Sequence, residues 1–409
     1  MTETSDVSSE QSRWVIVLVA ISAGIVAAVQ VGKVPPLITQ LQAELGLTLV
    51  AAGWLASLFN LFGALFGVMA GAVADKLGAR RVLLVGLGGL AAAGFAGALA
   101  SDVVWLLFCR MIESGAILAC TVTAPRLIVA ATTPRQRNLA MGAWGSFMPI
   151  GMALALLGAP PIAAVSGWQG VWLTAAALAL VCLAVVAWIT SPRRWAGAPK
   201  ASAGVPWQAL VEAVWRPGPL LMAICFALYA LQFFAIASWL PTYLIEILGY
   251  TPDQAGIATA VVVSGNAIGN LAGAVLLHRG AKRWALLLAA FILMLVCASG
   301  IFAPDLAVIW KLPLAFAFNF FGGLLPAAIL AATVVHAPRA AMVGTINGVV
   351  VQGAALGSLA GPPAMAVMIA GFGGWAGTYW LMAICSVIGV VLAIRLGKIE
   401  RRSEEHTSE

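Results

Sequence analysis

Twelve stretches of this chain are each long and apolar enough to cross a hydrocarbon core, and that feature leaves few architectures open. They lie near residues 14–35, 48–74, 82–100, 103–131, 138–164 and 168–190, then near 217–240, 252–277, 283–302, 306–335, 340–370 and 375–395. A helix needs about 20 apolar residues to span a core about 30 Å thick. Backbone N–H and C=O groups in lipid must be satisfied within their own segment, so helices are expected. Composition agrees. Hydrophobic types make up 62% of the residues and charged types 9%, whereas a soluble domain carries about 25% charged residues. A cytosolic enzyme, a nucleic-acid binder and a disulfide scaffold are excluded on these grounds. The expected fold class is all-α, a polytopic membrane protein of 12 helices. Its expected parts are a tail over 1–13, a six-helix bundle over 14–190, a linker over 191–216, a second bundle over 217–395 and a tail over 396–409. The first 13 residues are polar and acidic-leaning, unlike a cleavable signal peptide.

Charge placement orients the segments. Of the 22 Lys and Arg, all but Lys33, Arg110, Arg126 and Lys311 fall in alternate loops and the tails, among them Lys76, Arg80, Arg81, Arg135, Arg137, Lys282 and Arg283. The opposite loops carry Glu44, Asp102, Glu246, Asp253 and Asp305 instead. The positive-inside rule then puts both termini in the cytoplasm, and an inner membrane of bacterial type is expected.

The two halves repeat at an offset of about 202 residues. Residues 71–81 read GAVADKLGARR and residues 273–283 read GAVLLHRGAKR. The same offset maps Gly63 and Gly67 onto Gly265 and Gly269, and Gly142, Gly151, Pro160 and Pro161 onto Gly344, Gly353, Pro362 and Pro363. Six crossings are an even number, so the copies share one orientation. Parallel repeats of this kind mark secondary transporters, with a substrate site near the midplane between repeats.

The stretch Gly71-x-x-x-Asp75-Lys76-x-Gly78-x-Arg80-Arg81, at the inner end of the second span, resembles the loop motif of the major facilitator superfamily. Read physically, Gly71 lets helices approach closely. Asp75 leaves the membrane beside basic loop residues and the start of the eleventh span, where a helix N-terminus favours an anion. That makes Asp75, with Gly71, Gly78, Arg80 and Arg81, a latch for the inner face. The alternative is a plain topology signal. In the fourth span, Arg110-Met-Ile-Glu113-Ser114-Gly115 is similar to the family's Arg, acid or amide, glycine pattern, with Ser114 at the usual glycine position. The strings around Thr123-Ala-Pro125-Arg126, Trp144-Gly145, Pro149-Ile150-Gly151 and Gly167-Trp168 resemble the cyanate-permease and nitrate-porter-like branch, which moves small or organic anions. The second span carries no charge over 48–74, where nitrate porters have an arginine.

Charges inside spans are costly and point to function or pairing. Arg110 and Glu113 are an i, i+3 pair on one face. Thr121 shares the face of Arg110, within about 20°. Arg126 stands about 160° and about 24 Å away along the same helix, placed for a gate or for snorkelling to the cytoplasm. Lys33 precedes Pro35-Pro36 with Gln30 one turn below it, either an interfacial lysine reaching outward or a cation that meets an anion. The second half offers uncharged candidates, chiefly Tyr229, Gln232, Asn266 and Asn319, each suited to ligand contact or to joining helices. Of the fifteen acids, only Glu113 lies inside a span, so proton coupling through a carboxylate falls to it.

The residues and the resemblance together imply a transporter of a small organic or inorganic anion, working by alternating access in the uptake direction. Lys33, Arg110, Thr121, Arg126, Tyr229, Gln232, Asn266 and Asn319 are the expected binding residues. The alternative is a proton-coupled efflux antiporter for an amphipathic compound. No enzyme constellation, metal spacing or cofactor motif is present; the six cysteines sit in apolar runs as packing residues. The expected partners are the substrate and membrane lipid, with no nucleic acid, and the chain is expected to act as a monomer.

Overall fold

The computed structural model describes residues 3–191, 217–303, 305–335 and 343–408. The linker beyond Ser191 lies outside them. Every regular element among the described residues is helical. The first half holds α1 (Glu3–Gly32), a 3-10 turn at Pro35–Leu37, α2 (Ile38–Leu45), α3 (Leu49–Ser57), a 3-10 turn at Leu58–Asn60, α4 (Leu61–Leu77), α5 (Ala79–Ala98), α6 (Val103–Ala131), α7 (Pro134–Gly145) and α8 (Phe147–Ile189). The second holds α9 (Pro217–Glu246), α10 (Pro252–His278), α11 (Arg283–Ile301), α12 (Val308–Val335), α13 (Val343–Gly371), a 3-10 turn at Trp375–Gly377 and α14 (Thr378–Ser408).

Eleven helical stretches among the described residues are long and apolar enough to cross a membrane. One of them, Leu139–Ile189, has 51 residues. As a single straight helix it would run about 76 Å, more than twice the hydrocarbon thickness. It turns at Ser166 and Gly167, where Gly167 takes φ +67°. It therefore makes two crossings, and the twelve expected spans are present.

Three boundaries differ from expectation. α1 begins at Glu3, inside the expected N-terminal tail, and α14 runs to Ser408, through the expected C-terminal tail. The C-terminal extension has partners. Arg283 Nε donates to Glu400 Oε1 at 3.1 Å, and the Arg401 guanidinium lies 4.6 Å from the Trp284 ring centre. The second span is interrupted at Leu58–Asn60 just after Ser57, whose hydroxyl donates back to the Trp54 carbonyl at 3.3 Å and so offers the backbone a local alternative.

The chain forms two compact units. One holds residues up to Gln40 and those from Met69 to the end of α8; the other holds Leu41–Val68 and the helices from α9 onward. Most of the second span thus goes with the later helices. A Cβ on Gly53 of α3 would stand 2.8 Å from the Pro363 Cα, Gln352 Nε2 donates to the Ala64 carbonyl at 2.7 Å, and the Phe59 and Phe234 rings meet at 5.3 Å.

Packing inside each unit repeats the sequence offset. In the first, Gly151 brings α8 so close to α1 that a methyl would overlap Ala28 and the Ile25 carbonyl. In the second, Gly353, Gly357 and Gly361 of α13 rest on the Ala223, Ala227 and Leu231 carbonyls of α9. Small residues at such crossings let backbones approach in lipid, where no hydrophobic effect drives helices together. Gly78 and Gly280 hold φ of +85° and +90° at equivalent turns, a conformation open to glycine at no steric cost.

Candidate functional site

The first unit buries a charged cluster where the end of α1 meets α6. Two pairs at i, i+3 meet there: Gln30 of α1 with Lys33 just past its end, and Arg110 with Glu113 of α6. All four have no exposure to solvent. Lys33 Nζ donates to Glu113 Oε1 at 2.8 Å and to Gln30 Oε1 at 2.6 Å. Arg110 Nη1 donates to the other carboxylate oxygen, Glu113 Oε2, and to the Gln30 backbone carbonyl at 2.8 Å. Gln30 Nε2 in turn donates to the Ala175 carbonyl of α8 at 3.1 Å, which fixes its amide. The Lys33 ammonium lies 4.5 Å from the Trp172 ring centre, a cation–π contact.

The electrostatics follow from the chain path. α1 ends at Gly32, just before Lys33, and Pro35 and Pro36 follow in a 3-10 turn. Both cations therefore sit at a helix C-terminus, which carries about half a negative charge. Two cations against one carboxylate leave one positive charge, and the helix end offsets about half of it. The cluster is buried and shared among three helices.

Lys33, read from sequence as an outward-reaching lysine or an anion-meeting cation, is thus joined to the Arg110–Glu113 pair. Thr121, on the Arg110 face, is half-buried and bonds its own helix, donating to the Ile117 and Leu118 carbonyls at 3.0 and 3.2 Å. Arg126 is half-buried further along α6. Trp172 was not among the sequence candidates. It lies 59 positions from Glu113, and nothing in its spacing distinguishes it from a lipid-interface tryptophan.

In the second unit the structure gathers three of the four candidates. Asn266 Nδ2 of α10 donates to the Tyr229 hydroxyl of α9 at 2.7 Å and to the Asn319 backbone carbonyl of α12 at 3.3 Å. Gln232 goes elsewhere: it accepts from the Ser386 hydroxyl of α14 at 3.0 Å and joins those two helices. Lys311 is occupied as a cap. Its ammonium donates to the carbonyls of Ile301, the last residue of α11, and of Ala303 beyond it, and to the Tyr243 hydroxyl, at 3.3, 2.7 and 3.0 Å.

Of the loop motif, Gly78 forms the turn into α5. Arg80 bonds the end of α8, with Nε on Thr190 Oγ1 at 3.1 Å and Nη2 on the Ala187 carbonyl at 3.2 Å. A cation there meets the negative end of a helix dipole. Arg81 is exposed. The placement of Gly71 and of the Asp75 side chain lies outside what the structure describes.

The model of the Major Facilitator Superfamily matches residues 16–362 and 246–409. The chain is 28% identical to the probable sulfoacetate transporter SauU of Cupriavidus necator over 62% of each chain. It is 28% identical to the 3-(3-hydroxy-phenyl)propionate transporter of Escherichia coli over 54% of each. It is also 28% identical to the puromycin resistance protein pur8 of Streptomyces alboniger, over 42% of this chain and 34% of that one. The chain spans about three fifths of the length of the first curated relatives it matches. In fold it is similar to a bacterial homologue of the human lysosomal transporter Spinster in an inward-facing and occupied conformation. The TM-score is 0.76 at 17% identity, covering 95% of this chain and 96% of that one.

Proposed function

The chain belongs to the major facilitator superfamily, and we propose that it is a secondary active transporter taking up a small anion across the inner membrane by alternating access. The family and the named relatives are transporters rather than enzymes. The observation that carries the anion reading is the buried cluster in which Lys33 and Arg110 share the single carboxylate of Glu113. An anionic substrate group completes its charge balance, and an i, i+3 arginine–carboxylate pair can open to receive it. The sulfoacetate and hydroxyphenylpropionate relatives, and the likeness of spans 4 and 5 to the cyanate-permease and nitrate-porter-like branch, support the same class.

In this reading Glu113 carries the coupling proton, because protonation frees both cations for the substrate. Tyr229, Asn266 and Asn319 serve as uncharged contacts. Thr121 and Arg126 line the route along α6, Asp75 latches the inner face, the two sequence halves work as six-helix bundles, and one chain suffices as a monomer. The second reading, proton-coupled efflux of an amphipathic compound, is favoured by the puromycin resistance relative.

Proteoliposomes separate these readings. Labelled sulfoacetate and 3-(3-hydroxyphenyl)propionate should accumulate under an inward proton gradient. Glu113→Gln should lose that accumulation and keep exchange, which moves no net proton, and Asp75→Asn should slow uptake without weakening binding. Export of puromycin with no anion uptake would establish the efflux reading instead.

A further inference from the structure

We propose that the later turns of α14 form a docking site for an anionic phospholipid, whose phosphate meets Arg395, Lys398 and Arg401. The site lies within the second unit and is independent of what the protein transports. It starts from a difference between the repeats. α8 ends at Ile189, and the 202-residue offset maps that end onto Val391, but α14 continues to Ser408. A hydrocarbon core about 30 Å thick takes about 20 helical residues, which from Thr378 reaches about Gly397. The polar surface of the membrane is thus met near Arg395, and the helix goes on beyond it.

One face of α14 changes character at that depth. Ile384, Val387, Ile388, Val391 and Ile394 are exposed along it. Arg395, Lys398 and Arg401 follow, and they are exposed too. At 100° per residue these eight positions fall within an arc of about 140°. An apolar stripe suited to acyl chains therefore runs directly into a cationic one. Glu400 lies about 170° from the middle of that arc. It is 6% exposed and accepts from Arg283 Nε at 3.1 Å, so its charge is neutralised away from the face. Among the described residues no acid pairs with Arg395 or Lys398.

The cations are presented on a rigid element. A Cβ on Gly397 would stand 2.9 Å from the Trp284 ring, and the Arg401 guanidinium lies 4.6 Å from that ring's centre. Together with the Arg283–Glu400 pair, these contacts lock α14 to the start of α11. Arg279 and Lys282, exposed in the turn before α11, add to the positive field. A lipid with a phosphate and acyl chains uses both parts of the face. A free phosphate compound or an acidic polypeptide would engage the cations and leave the apolar stripe unused.

Native mass spectrometry tests this on the purified full chain, titrated in detergent with dioleoylphosphatidylglycerol or dioleoylphosphatidylcholine. The anionic lipid should bind at least about tenfold more tightly than the zwitterionic one, at about fivefold for each cation near the phosphate. Arg395→Gln/Lys398→Gln should weaken phosphatidylglycerol binding at least about tenfold. Both side chains are exposed, so the double variant keeps its packing. Arg137→Gln removes an exposed cation from α7 and should leave lipid binding unchanged. Neither glycerol phosphate nor poly-glutamate should displace the lipid at equal concentration. Equal binding of the two lipids, unchanged binding in the double variant, an equal loss in Arg137→Gln, or displacement by either soluble anion would overturn the proposal.

Discussion

The central feature at the residue scale is one carboxylate between two cations. Removing a partner from a buried ion pair is costly chiefly because an uncompensated charge is left behind, about 3–5 kcal/mol in folded proteins. The three side chains here are not equivalent in that respect. Glu113→Gln leaves Lys33 and Arg110 both unbalanced, whereas Lys33→Met leaves the neutral Arg110–Glu113 pair intact. Thermal unfolding in detergent should therefore show Glu113→Gln well below the unaltered protein, by the equivalent of about 3–5 kcal/mol. Lys33→Met should lie much closer to it. The reverse order would mean that Lys33, not Glu113, organises the cluster. Arg110→Lys should keep only part of the anion binding, since an ammonium lacks the planar fork of donors that a guanidinium can present to an anionic group.

Each unit is organised at the element scale by a helix pair that the repeat duplicates: α1 with α8 through Gly151, and α9 with α13 through Gly353. The basic turn is duplicated too, with different partners. Arg80 caps the end of α8, while Arg283 pairs with Glu400 on α14. In both cases the third helix of a repeat is tied to its sixth at one end. Gly353 and Gly158 make a controlled comparison. A side chain at Gly353 meets the Ala223 carbonyl; one at Gly158 meets nothing within 4 Å. Gly353→Val should lower thermal stability by about 1–3 kcal/mol or more through overpacking, and Gly158→Val should leave it within about 0.5 kcal/mol. Equal effects on a melting curve would mean that α13 does not depend on close approach to α9.

The whole molecule shows how far the reading from sequence reached. Single cysteines test the proposed orientation. One at Lys282 should resist an impermeant thiol reagent added outside intact cells, and one at Asp253 should react. The reverse would invert the topology. The crossings, their all-helical character, the 202-residue repeat and the Arg110–Glu113 pairing were legible because each depends on local facts: segment length, backbone satisfaction in lipid and spacing along one helix. Even the hidden break in Leu139–Ile189 was legible, since 51 residues are too many for one crossing. Which face of each helix meets which neighbour was not. Lipid is as apolar as the protein interior, so no amphipathic stripe records the rotation of a buried helix. Only the tertiary structure joins Lys33 to Glu113 across 80 residues and sets it on Trp172. The same packing turns Gln232 to Ser386, gathers Tyr229, Asn266 and Asn319, and packs Leu41–Val68 with the later helices. The sequence by itself determined which segments cross the membrane and which charges they carry in. Helix rotation and crossing, fixed by close contacts between distant residues, decided which of those charges meet.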